Sequence, residues 1–128
     1  MNQKNQRMLT LIELLRRGRD RILRGWTQHA PARTAKGTMC GASDPAAIAW
    51  CAAGAAWYVD DSIPDCVNDP CYRLYLEALA ELRRSLAKVS PDENHGGHLG
   101  CWNDVHHRSQ ADTVRLYDVT IARVAAAG

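Results

Sequence analysis

The sequence predicts an α+β domain, mainly α: a bundle of four helices around a buried central helix, with one small β-hairpin. Three observations predict it. Apolar residues recur at helical spacing in three segments, Pro45 to Val59 carries no charge on any face, and between Thr27 and Ser43 the helical period vanishes around Ala35-Lys36-Gly37. A chain of 128 residues is one domain by length, spanning 1–128, and residues 1–7 are expected to be disordered.

The first helix is expected from Met8 to Arg24, ending at Gly25 in a left-handed C-terminal position. Met8, Leu11, Ile12, Leu15, Ile22, Leu23 and Trp26 fall on one arc about 120° wide. Arg19 falls inside that arc, so its guanidinium is expected to reach Asp104 or another carboxylate. The hairpin follows, with strands near Thr27 to Arg33 and Thr38 to Gly41 and Pro31 at an edge or bulge. Ser43-Asp44-Pro45 reads as a helix start, opening the uncharged Pro45 to Val59 helix. A helix apolar all round is buried on all sides, and Cys51, Gly54 and Ala55 let neighbouring backbones approach closely.

Asn68-Asp69-Pro70 repeats the start signal, and Cys71, Tyr75, Ala78, Leu79, Leu82, Leu86 and Val89 form a third stripe before Pro91 stops the helix. Residues 91–108 read as a loop rich in Gly and His. Ser109 with Asp112 is a capping box for a last helix, whose stripe is Val114, Tyr117, Ile121 and Val124.

Residues 1–36 hold nine Lys/Arg against Glu13 and Asp20, a surplus of +7, and the remainder holds seven against twelve, a deficit of −5. The molecule therefore has a basic end and an acidic body. No uncharged run reaches the ~20 residues of a membrane span. Met1 to Gln6 is polar and lacks the apolar core of a secretory signal, so a cytoplasmic location without membrane contact is expected. Cys40, Cys51, Cys66, Cys71 and Cys101 are odd in number, and reduced thiols are the default reading.

Three stretches carry a family likeness: Gly25-Trp26-Thr27-Gln28, then Asp44-Pro45 leading into Trp50-Cys51-Ala52-Ala53-Gly54-Ala55, and Trp102-Asn103-Asp104 before the Arg108-Ser109 helix start. In their order and spacing they resemble an uncharacterised bacterial and phage family, a domain of unknown function, over about residues 22–124. The chain departs from that pattern at His29, where glycine is usual, and at Ser109, where threonine is usual. The resemblance implies an architecture and no activity.

Four sets of residues are candidates for function. Cys51 is the candidate nucleophile, with Gln28 as oxyanion donor, His29, His106 or His107 as base and Asn103 or Asp104 orienting it. A place nearly two turns inside the central helix argues against activation and makes Cys51 a packing residue first. The His95, His98 and Cys101 cluster offers zinc donors at a spacing that matches no familiar knuckle, so no cofactor is expected. Arg17, Arg21 and Arg24 form a basic ridge suited to an acidic protein partner; without interleaved aromatics, and beside an acidic body, it is poorly suited to nucleic acid. Trp26, Gln28, Trp102, Asn103 and Asp104 supply either ordinary loop anchoring or the polar floor of a small-molecule pocket.

The expected function is a small non-enzymatic binding or interaction protein, engaging another protein through the basic helix or a small ligand through the tryptophan and Asn-Asp set. In the phage setting that the resemblance implies, it would be an accessory factor that binds and inhibits a host protein. The alternative is a cysteine-dependent hydrolase or transferase using Cys51.

Overall fold

The computed structural model describes residues 10–57, 69–93 and 95–128, with the side chains of Asp69 and Pro70 left aside. Five helices and a three-stranded antiparallel sheet make up the described part: α1 (Leu11–Arg24), β1 (Ala32–Thr34), β2 (Met39–Cys40), β3 (Ala47–Trp50), α2 (Ala52–Ala55), α3 (Asp69–Val89), α4 (Leu99–Asn103) and α5 (Gln110–Ala127). The class is α+β. Helices α1 and α3 both pack on α5, and Leu14, Leu15, Ile22, Leu82, Leu86, Trp102, Leu116 and Tyr117 are fully buried.

Helix α1 starts one turn later than Met8, at a capping box that the sequence reading passed over: Thr10 Oγ1 accepts the Glu13 N–H, and Glu13 accepts the Thr10 N–H. Its buried face is Leu14, Leu15, Gly18, Arg21 and Ile22, whereas Leu23 is half exposed. The expected arc was therefore rotated about the axis, since it included Leu23 and omitted Leu14. Arg21, not Arg19, lies within the buried stripe. Arg19 pairs with Asp118 on α5, a carboxylate other than Asp104. Gly25 does not take the left-handed conformation; it is extended, at φ −179°, and a Cβ there would lie 2.1 Å from the Ile48 carbonyl oxygen. Close backbone approach, not turn geometry, is what requires this glycine.

β1 and β2 turn at Gly37 (φ 80°), with Ala32 opposite Cys40 and Arg33 opposite Met39, but the first strand is Ala32–Thr34 and not Thr27 to Arg33. The hairpin is not alone. β1 also pairs with β3, giving the order β2-β1-β3, with Ala32 opposite Trp50 and an irregularity between Arg33 and Thr34. This is the principal correction to the sequence reading: Ala47 to Trp50 is a strand, and only Ala52 to Ala55 is helical. Residues 58 and 59 lie outside the described set. A short apolar run has no period that separates a buried strand from a buried helix, and the pairing partner decides. Here the Trp50 N–H donates to Gly25 O (3.0 Å), the Thr27 N–H to Trp50 O (3.1 Å) and the Cys51 N–H to Pro31 O (3.1 Å). Upstream, Asp44 Oδ1 accepts the Ala46 N–H (2.8 Å), closing a turn instead of capping a helix. A four-helix bundle around a central helix is thus replaced by three long helices and a small sheet that meet at the one-turn α2.

Helix α3 has its expected ends, and Ser109 with Asp112 caps α5 as expected. The buried face of α5 comprises Thr113, Leu116, Tyr117 and Thr120; Val114, Ile121 and Val124 are only partly covered. The threonines are accommodated by hydrogen bonds, Thr120 Oγ1 reaching Ser85 Oγ (2.7 Å) and Thr113 Oγ1 reaching Ser109 O (3.1 Å). The 91–108 segment is not wholly loop: a 3-10 turn at His95–Gly97 leads into α4. Cys40, Cys51 and Cys101 are free thiols, but Cys71 is disulfide-bonded, which corrects the reading of reduced thiols throughout. An odd cysteine count excludes only complete pairing. Among the described residues no helix is long and apolar enough to cross a membrane.

Candidate functional site

A helix of one turn cannot hold itself, because nucleation fixes several residues for a single hydrogen bond. α2 is held from outside at both of its ends. The Ala52 N–H donates to Asn103 Oδ1 (2.9 Å), and Ala52 O accepts from Tyr117 Oη (2.7 Å). Beyond the last turn, Arg21 Nη1 donates to Trp57 O (2.8 Å) and Ala55 O (3.4 Å). Cys51 is the N-cap residue, its Sγ accepting the Gly54 N–H at 3.2 Å. Gly54 itself admits no side chain, since a Cβ would lie 2.3 Å from Pro31 O.

Cys51 therefore does not sit two turns inside a helix; it stands where β3 gives way to α2. Its surroundings, not its depth in a helix, set the state of the thiol. Burial pushes the Cys51 thiol up, the nearby Asp104 carboxylate adds to the rise, and the amides of Gly54 and Ala53 oppose it without reversing it. At neutral pH Cys51 is held as the thiol.

Trp26, Gln28, Asn103 and Asp104 come together as one network. Asn103, 1% exposed, accepts from Trp26 Nε1 (2.9 Å) and from Ala52, and donates through Nδ2 to Thr27 O (3.1 Å) and Asp104 Oδ1 (3.0 Å). Its amide is saturated. Gln28 Nε2 donates to Asn103 O (3.0 Å) and Val105 O (2.7 Å), satisfying carbonyls at the end of α4. Asp104 Oδ1 also takes the His29 N–H (2.9 Å), while among the described residues Oδ2 has only His29 Nδ1 at 3.7 Å. Trp102 does not join this group. It is fully buried, with Nε1 on Ser90 Oγ (3.0 Å) and Arg108 stacked 4.1 Å above its ring.

The network backs a pocket of about 600 Å³, within the range of small-molecule sites. One wall is Ala30 and Pro31 before β1 with Gly41, Ala42 and Ser43 after β2; another is Cys51, Ala53 and Gly54 on α2. Trp57 and Tyr75, packed edge to face at 4.9 Å, supply its aromatic lining, and Gly100 and Asn103 of α4 with the cap residue Asp104 complete it. Across Ala53 and Gly100 lies a smaller hollow of about 390 Å³ bordered by Arg83 and His98.

The family model described as a family of unknown function, DUF6197, matches residues 6–123. The chain belongs to that family. No curated protein and no solved structure matches it.

The other candidates are separated by the fold. Arg17, Arg21 and Arg24 form no continuous ridge, because Arg21 is 5% exposed and turned toward α2, where burial and then the charges of Arg17 and Arg24 pull it down to about 10. Arg24 lies over the Trp50 ring at 5.1 Å. His98 is spent as the N-cap of α4, its Nδ1 accepting the Cys101 N–H (3.0 Å), and Cys101 is exposed. Among the described residues no group of three His, Cys, Asp or Glu is arranged to hold a metal ion. His107 pairs with Glu93 at 2.9 Å. What the sequence reading missed is the pocket's apolar half: Trp57 and Tyr75 meet across 18 positions of chain, and no local pattern announces such a contact.

Proposed function

We propose that this protein is a non-catalytic binding domain whose ligand is a small molecule held in the pocket between the β1-β2 hairpin, α2, α3 and α4. The observation that carries the reading is the pocket itself: about 600 Å³, lined by an aromatic pair and a carboxylate, with Asn103 behind it saturated by its neighbours. Asn103, saturated by its partners, holds the shape of the site. A ligand at about 100 times its Kd raises the unfolding free energy by about 2.7 kcal/mol, which for a domain of this size raises Tm by about 10 °C. A thermal-shift screen of metabolite-sized compounds is expected to yield such a ligand for the wild type and no shift in Ala53→Phe, which fills the cavity. Equal shifts in both proteins, or none in the wild type across a broad screen, would overturn the reading.

One observation favours the second reading, cysteine-dependent hydrolysis or transfer: Cys51 stands at a strand-to-helix turn on the pocket wall. Thiol labelling separates the two. With its thiol pushed up, Cys51 is expected to react at pH 7 at least about tenfold more slowly than exposed Cys101, the gap narrowing as pH rises and the thiolate forms. A Cys51 that labels ahead of Cys101 would favour chemistry over binding.

A further inference from the structure

The described lining of the pocket contains one carboxylate, Asp104, together with the aromatic pair Trp57 and Tyr75. Asp104 Oδ1 is committed to the His29 N–H and to Asn103 Nδ2. Among the described residues Oδ2 accepts no hydrogen bond, the His29 ring nitrogen standing 3.7 Å away on an exposed side chain. Two N–H donors on one oxygen fix the carboxylate's orientation, leaving the other oxygen for a partner. Ring faces add to this preference, because the quadrupole of Trp or Tyr attracts a cation and an apolar body alike. An anionic ligand would meet the Asp104 charge without a cation in the described lining to offset it.

We propose that the pocket selects an organic cation, a small amine whose apolar body lies against Trp57 and Tyr75 and whose ammonium pairs with Asp104. This rests on the pocket being a ligand site and names the class of molecule it takes. Because Asn103 fixes the orientation of Asp104 and Ala52 ties Asn103 to α2, the charge is presented by the same network that holds the pocket wall.

Three probes with a common phenyl body test it on the full chain by calorimetry and tryptophan fluorescence: phenethylamine, phenethyl alcohol and 3-phenylpropionate. Phenethylamine is expected to bind about tenfold more tightly than the alcohol, and the propionate more weakly than either. In Asp104→Asn, which keeps an oxygen for the His29 and Asn103 donors, the amine-over-alcohol preference is expected to fall to about one. Alcohol or propionate binding as well as the amine to the wild type overturns the cation assignment and leaves the pocket reading standing. Failure of all three to bind overturns both. The wild-type ranking alone decides the point if the variant does not fold.

Discussion

Asn103→Ala is expected to lower the unfolding free energy by about 3 kcal/mol, read as a shift in the urea midpoint at unchanged slope. The side chain accepts the buried Ala52 N–H and the partly buried Trp26 Nε1–H, and donates to Thr27 O and Asp104 Oδ1. Removing it strands a backbone donor with no water to replace the amide, which costs about 1–3 kcal/mol, and frees three groups that solvent reaches in part. Against a total of about 5–15 kcal/mol for a domain, this is a large fraction. A loss under about 1 kcal/mol would show that Asn103 is not the node described.

Asn103→Asp sharpens the test. The acceptor for Ala52 and Trp26 is kept, but a second oxygen is turned toward Thr27 O and Asp104. Burial and the Asp104 charge would raise the folded-state pKa of the introduced carboxyl above its unfolded value. The folded variant then binds more protons than the unfolded chain, so its deficit relative to wild type shrinks as pH falls and widens as pH rises toward neutrality. A deficit independent of pH between about 4 and 7 would contradict that account.

How far this was legible beforehand depends on the range over which each element is decided. The ends of α3 and the start of α5 are set by local signals, Pro70 and Pro91 flanking one and Ser109 with Asp112 opening the other, and both are as read. Likewise the hairpin turn is written in Gly37. The 45–59 segment is decided remotely: its alanines suit a helix, yet β1 and Gly25 offer partners to its backbone, and tertiary pairing outweighs a propensity worth a few tenths of a kcal/mol per residue. Trp26, Gln28, Asn103 and Asp104 could be grouped by residue type alone, since polar side chains beside tryptophans in a small domain must find partners. That they satisfy one another, with Cys51 on the pocket side, required the three-dimensional arrangement. α4 escaped notice because its cap is a histidine, His98, and not one of the usual Ser, Thr, Asp or Asn.

The second large effect is expected at Arg21, where an error of about one position in placing the helical arc changed a core residue into a surface one. Arg21→Met keeps most of the stem volume but removes the guanidinium, which donates to Trp57 O and Ala55 O and lies 5.5 Å from the Trp50 ring centroid. Those carbonyls close the end of α2, where a cation is favoured by the helix dipole and where no further turn supplies N–H donors. Hydrogen bonds to a charged donor contribute about 1.5–3 kcal/mol, so a loss of about 3 kcal/mol is expected from denaturant unfolding, with Arg21→Ala losing more through the cavity it leaves. Arg21→Lys keeps the charge but not the fork that spans two carbonyls, and should recover only part of the loss. The consequence reaches the pocket, because Cys51, Ala53 and Gly54 of its wall ride on α2. In Arg21→Met, Cys51 is expected to label faster than in the wild type while exposed Cys101 labels at an unchanged rate. Equal acceleration of both thiols would mean global unfolding; an unchanged Cys51 would mean that α2 keeps its place without the arginine, against the reading in which a one-turn helix is held by the side chains around it.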